Sequence, residues 1–150
     1  MSSPSHKITP CLWFEDRAEE AVTFYRSVFK NSSSDGMKFN GMVALFEIEG
    51  QPIMILQGGP HYKLSEAFSL SVNCKDQAET DYYWDKLGEG GSYSQCGWLK
   101  DKFGVSWQIV PEAFPRLLND PDQARAGRAM QAMMKMQKLD VAELEAAFNG

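Results

Sequence analysis

Apolar and polar positions follow two periods along this chain, and the same succession of periods occurs twice. From Ile8 to Phe14 the period is two, with Ile8, Pro10, Leu12 and Phe14 on one face and Thr9, Cys11 and Trp13 on the other, which predicts a strand covered on both sides. The period then lengthens. Ala18, Ala21, Val22, Tyr25, Val28 and Phe29 recur at helical spacing behind Asp16 and Glu19, the D-x-x-E form of a capping box. Lys30 to Gly41 contains the polar run Asn31 to Gly36 and reads as loop, with at most a short strand around Met37 to Phe39. Met42 to Ile48 and Pro52 to Gln57 are apolar runs flanking Glu49-Gly50-Gln51, which predicts a hairpin.

After Gly58-Gly59-Pro60-His61 the succession restarts. Ala67 to Cys74 reads as a strand, and Asp76 to Leu87 as a helix capped by Asp76 with Glu79 and stopped by Gly88. Trp98-Leu99-Lys100 and Val105 to Val110 form a second hairpin around Lys102-Phe103-Gly104. The helix entries share a spacing: Asp16, Ala18, Glu19 and Phe24 are matched by Asp76, Ala78, Glu79 and Trp84, sixty positions later. The prediction is an α+β fold of two βαβββ-type modules, about 7–58 and 66–111, forming a curved mixed sheet with helices packed outside. A helical tail, about 112–150, follows. Asp120-Pro121 supplies its N-cap and first-turn proline, the Ala- and Met-rich run continues through Lys138, and Asp140 with Glu143 opens a last short helix ending near Gly150. Residues 1–150 are long enough for a single domain with its own core.

Composition narrows the classes. Hydrophobic residues at 43% and charged residues at 23% exclude a disordered chain. A net charge of -5, with 15 scattered Lys and Arg, offers no basic stripe for phosphates and argues against nucleic acid as a partner. Met1 to Ser5 is polar, which predicts no secretion signal, and no apolar run approaches the ~18 residues of a membrane span. Cys11, Cys74 and Cys96 are odd in number and lack C-x-x-C spacing, so free thiols and a cytoplasmic location are expected.

Several stretches carry a family resemblance: Ile8-Thr9-Pro10-Cys11-Leu12-Trp13-Phe14, Ala18-Glu19-Glu20-Ala21 leading to Phe24-Tyr25, Gln51-Pro52 through Gly58-Gly59-Pro60, and above all Gln95 to Pro111. Through these the chain resembles the vicinal oxygen chelate superfamily of glyoxalases, extradiol dioxygenases and antibiotic-sequestering proteins. Within it, the chain resembles the PhnB-like branch named for 3-demethylubiquinone-9 3-methyltransferase. The resemblance covers nearly the whole chain, the tail included, and implies a second strand cut short. It also implies where metal ligands stand in metal-using relatives: here Thr9, Met54, Ser69 (or Ala67 in a shifted register) and Gln108. None is an imidazole or carboxylate, so no metal and no cofactor are expected. The methyltransferase name fits poorly, because the first strand enters its helix through Glu15-Asp16-Arg17 without the Gly-rich turn a Rossmann-like cofactor site needs.

The candidate ligand-binding residues are Trp13, Met54, Gln57, Trp98 and Gln108; no catalytic residue is assigned. Gln108 lies between Trp107 and Ile109 on a strand, where an amide needs partners, and the resemblance places it in the pocket. Trp13 shares a face with Thr9, against the plainer fate of a core aromatic. Gln57 ends a strand, where polar residues are common anyway. Cys96 as a nucleophile would need a base nearby, and no His is evident; His61 reads as a surface loop residue. The stripe Ala126, Ala129, Met130, Met133 and Met136 must be covered, by the core or by a homodimer contact. The expected function is metal-independent binding of a small molecule. The alternatives are a lyase, isomerase or dioxygenase-type enzyme with a non-standard site, and an interaction protein whose cup is filled by side chains.

Overall fold

The structure, a computed structural model, describes residues 6–150, so the Met1 to Ser5 stretch lies outside it. The chain divides into two compact units, the first through Leu64 and the second from Ser65 to Gly150. Each holds a four-stranded mixed sheet, as an α+β fold of two like modules requires.

In the first unit β1 (Cys11–Phe14), α1 (Ala18–Val28), β2 (Ser32–Lys38), β3 (Val43–Ile48) and β4 (Gln51–Gln57) form a sheet of order β1-β4-β3-β2. β1 runs parallel to β4 with Cys11 opposite Met54 and Trp13 opposite Leu56. Leu12, Phe14, Phe46, Ile53 and Ile55 are buried on the same side as Ala18, Ala21, Val22, Tyr25 and Val28 of α1, so the two apolar stripes build this core. In the second unit β5 (Ser69–Cys74), α2 (Gln77–Gly88), β6 (Ser92–Tyr93), β7 (Trp98–Lys100) and β8 (Ser106–Pro111) repeat the plan in the order β5-β8-β7-β6. Again the outer pair is parallel, with Ser69 opposite Ser106 and Ser71 opposite Gln108.

Local chemistry departs from the sequence pattern in several places. The first strand begins at Cys11, leaving Ile8 82% exposed. Asp16 does not cap α1. The N-cap is Arg17, in the left-handed region at φ 65°, and the Ala18 amide donates to Gln57 Oε1 at 2.9 Å. Asp76 does cap α2, accepting from the Glu79 amide at 2.9 Å, while Glu79 Oε1 accepts from the Lys75 amide. Because α1 starts one residue later relative to its acidic signal, the buried rows align Ala21 with Thr80, Tyr25 with Trp84 and Val28 with Leu87. This is one short of the sixty-residue spacing, and Phe24 is not the counterpart of Trp84. Gly88 is the last residue of α2 rather than its stop.

β2 is a seven-residue strand with a bulge between Ser34 and Met37, longer than the short segment expected and not truncated. In the tail, α3 (Ala113–Leu118) was not foreseen from the periodicity. Asp122, not Asp120, caps α4 (Gln123–Met133), accepting from the Ala124 and Arg125 amides, and α4 ends five residues before Lys138. α5 (Val141–Asn149) opens on Asp140 as expected. Leu117, Ala129, Met136, Leu139, Leu144 and Phe148 form the tail's own cluster, so the helical stripe is core at Ala129 and Met136, while Met130 is 39% exposed. Among the described residues no helix is long and apolar enough to cross a membrane. The three cysteines are free thiols.

Candidate ligand cleft of the second unit

Strand alternation puts Trp98, Lys100, Ser106, Gln108 and Ser69 on one face of the second sheet and Leu99, Trp107 and Ile109 on the other, which is buried. The first face borders a cleft of about 590 Å³ lined by Glu66, Ser92, Tyr93, Ser94, Cys96, Trp98, Lys100 and Ser106 among others. That volume lies within the roughly 300–1,000 Å³ range of small-ligand sites. Lys100 is directly opposite Ser106 and Trp98 opposite Gln108 in the β7–β8 ladder. Ser106 is 3% exposed, and its hydroxyl has no hydrogen-bond partner. Lys100 pairs with Glu66. The hydrogen bond from Lys100 holds the Glu66 carboxyl below its ordinary range.

The wall of the cleft is set by an unusual turn. Cys96 and Gly97 are both left-handed, at φ 61° and 84°. Their amides donate to the carbonyls of Met136 and Gln137, each at 2.8 Å, and the Gly97 carbonyl accepts from the Ile109 amide. A side chain on Gly97 would meet the Ile109 carbonyl at 2.9 Å and Leu139 Cγ at 3.1 Å, so glycine is required both by φ and by space. The tail is anchored in turn by Gln77, which donates to the Leu139 carbonyl and accepts from the Val141 amide at 2.7 Å. Lys138 pairs with Asp81 at 3.0 Å; Gln77 first, then Lys138, lowers the Asp81 pKa. The turn between β7 and β8 is held by Asp101, 3% exposed, whose carboxylate accepts from the Phe103 and Val105 amides and from Trp107 Nε1 at 2.8 Å.

The five residues expected at a ligand site fall in different settings. Trp98 lines the cleft. Gln108 shares its face and donates through Nε2 to Ser69 Oγ at 3.0 Å. Trp13 and Met54 are half-buried on the face of the first sheet away from α1. The Trp13 indole donates to the Gly59 carbonyl at 2.9 Å, meets Tyr62 edge-on at 4.9 Å, and covers Gly58 so closely that a Cβ there would lie 2.3 Å from Cη2. The ring excludes a side chain at Gly58, and Gly59 is left-handed at φ 88°, so each glycine is required for its own reason. Gln57 caps α1, and its carbonyl oxygen is committed to Ala18. His61 is exposed, and Cys96 is half-buried in the cleft wall. Sequence reasoning missed Ser106, Lys100 and Asp101, although Lys100-Asp101 and Ser106-Trp107 were within the most specific stretch of the resemblance.

The metal of the wider superfamily does not fit this chain. The implied positions hold a hydroxyl, a thioether, a second hydroxyl and an amide at Thr9, Met54, Ser69 and Gln108, and Ser69 and Gln108 bond to each other. Among the described residues no three His, Cys, Asp or Glu side chains stand close enough to hold an ion.

Comparison with known proteins agrees with this architecture up to β8. The family described as 3-demethylubiquinone-9 3-methyltransferase matches residues 6–110. A PhnB protein of Bacillus cereus, named for the same methyltransferase, is 34% identical, with a TM-score of 0.62, over 71% of this chain and 99% of its own. A Pseudomonas aeruginosa protein is 23% identical, with a TM-score of 0.63, over 72% and 98%. The Listeria monocytogenes fosfomycin resistance protein FosX is 16% identical, with a TM-score of 0.52, over 69% and 87%, a likeness of fold alone. Comparison with curated proteins gives no match. The family match ends at Val110, so the tail expected to fall within the resemblance lies outside it. The chain belongs to the 3-demethylubiquinone-9 3-methyltransferase family, in its PhnB-like form with the vicinal oxygen chelate fold.

Proposed function

We propose that this protein binds a small molecule without a metal, and that the cleft beside β7 and β8 is where it does so. One observation carries the reading: a buried hydroxyl, Ser106, lacks a partner at the edge of a cleft of ligand size, directly opposite Lys100. A buried polar group without a partner is rare in a folded protein, and an acceptor delivered from the cleft would satisfy it. Trp98 offers an aromatic surface beside it, and Gln108 stands opposite Trp98 on the same sheet face, its amide donating to Ser69. Trp13 and Met54 belong to the reading as an apolar face in the first unit, and Gln57 as the residue that positions α1 there. The branch's methyltransferase name is not adopted as an activity. β1 enters α1 without a Gly-rich turn, and the first amide of that helix is occupied by Gln57. A single cytoplasmic domain that pairs as a homodimer completes the reading, which sedimentation at several concentrations tests for the assembly.

Native mass spectrometry of the protein incubated with a cell metabolite extract tests the binding function. A bound mass seen in wild type and lost in Trp98→Ala and Gln108→Ala is the expected outcome. A mass retained equally by both variants, or no retained mass at any extract concentration, overturns the reading.

A further inference from the structure

We infer that the cleft selects a small molecule bearing an oxyanion, a carboxylate or a phosphate, held between the Lys100 ammonium and the Ser106 hydroxyl with an apolar portion against Trp98. The inference rests on the cleft being the ligand site.

Lys100 and Ser106 are a directly opposed pair in an antiparallel ladder, so their side chains leave the same face about 5 Å apart at Cβ. The one brings a full positive charge with three donors; the other brings a hydroxyl already desolvated and without a partner. An oxyanion has lone pairs for both at once, and such charge-assisted bonds are the strong ones. A neutral amide would make no charge-assisted bond to the ammonium, and a cation would be repelled by it. The chain itself shows the chemistry: a carboxylate, that of Glu66, is seated on Lys100. Glu66 precedes β5, and its side chain is 64% exposed against 38% for Lys100, so water competes for the pair and an incoming anion can replace it. Glu66 and Lys100 are the charged residues lining the cleft, and Ser92 and Ser94 add hydroxyls beside them. Trp98, two residues before Lys100 on the same strand face, is placed to cover the apolar portion of such a ligand.

Isotope-labelled protein titrated with benzoate, phenyl phosphate and neutral benzamide, with the amide signals of residues 92–106 followed by NMR, tests this. At least one of the two anions is expected to bind about tenfold or more tightly than benzamide, and the winner separates a carboxylate ligand from a phosphate one. Lys100→Met should abolish that preference, and Glu66→Gln, which removes the competing carboxylate, should tighten the anion. Both sites are partly exposed, so the variants keep the fold, and the dispersion of their spectra verifies it. Benzamide binding as well as the anions, or a Glu66→Gln variant that binds them more weakly, overturns the oxyanion assignment and leaves the cleft as a ligand site. No shift in residues 92–106 with any of the three probes overturns both.

Discussion

The hairpin of the first unit reverses in two residues, Glu49 and Gly50, at φ 48° and 80°, whereas that of the second takes five, Asp101 to Val105, wrapped around a buried carboxylate. Two consecutive left-handed residues match the twist of the flanking strands and need nothing from side chains. The longer turn leaves the Phe103 and Val105 amides and the Trp107 indole with donors to satisfy, and Asp101 satisfies all three. The sheet faces away from the helices differ in the same sense. In the first unit the face holds Cys11, Trp13, Val43, Leu45, Met54 and Leu56, with Glu47 toward the hairpin; in the second it holds Ser69, Trp98, Lys100, Ser106 and Gln108. A common βαβββ frame therefore carries a mainly apolar surface in one copy and a mainly polar one in the other. In the second a buried carboxylate also holds the hairpin, a task no side chain takes on at Glu49-Gly50.

The strongest test of that contrast replaces the carboxylate. Asp101→Ala removes an acceptor shared by three donors, two of those bonds buried, and should cost on the order of 3 kcal/mol in urea unfolding followed by tryptophan fluorescence. Gly50→Ala has open space around the new methyl and meets only the left-handed backbone penalty, about 1 kcal/mol. Equal losses would show that the second hairpin, like the first, is held by its backbone alone.

The helix entries give a finer test, because D-x-x-E occurs at both and caps at one. Asp76→Ala should cost about 1 kcal/mol. Asp16→Ala should fall within about 0.5 kcal/mol of wild type, since Asp16 does not cap α1. Gln57→Ala, which strips the Ala18 amide of its acceptor, should cost about 1 kcal/mol. Thermal unfolding of the three variants ranks them, and a loss at Asp16 equal to that at Asp76 would restore the symmetric reading of the two caps.

The cap at Asp16 also shows where legibility stops. Periodicity identifies β1, α1, β3, β4, β5, α2, β7 and β8 because each has an apolar face that must be covered. β2 is edge strand built from Ser32 to Lys38, held by main-chain bonds to β3, and its polar side chains carry no alternation to read. α3 hides behind Pro115, which is tolerated because it stands in the first turn, where no amide is needed. Of the five residues expected at a ligand site, Gln108 shares the sheet face of Trp98, and only Trp98 lines the cleft. Its wall depends on two left-handed residues and on carbonyls of Met136 and Gln137 some forty positions on, and its orphaned hydroxyl is a fact of packing. Local pattern contains neither.

A further difference between the modules is read by titration, and at its onset it is the smallest of these effects. The last residue of β1 is Phe14 and that of β5 is Cys74, both buried, so one module closes this place with a ring and the other with an ionisable thiol. Burial pushes the Cys74 pKa up from about 9 to about 11. The folded state thus holds this proton more tightly than the unfolded chain does. The stability it contributes is whole well below pH 9 and is lost as pH rises toward about 11. At the pH where the unfolded thiol is half ionised, the loss is about 0.4 kcal/mol and growing. Unfolding free energies of wild type and Cys74→Ala, measured from neutral pH upward, should draw together over that interval as the wild type declines faster. Parallel curves would mean that the thiol ionises as easily in the fold as outside it, and that the end of β5 is open to water in a way the end of β1 is not.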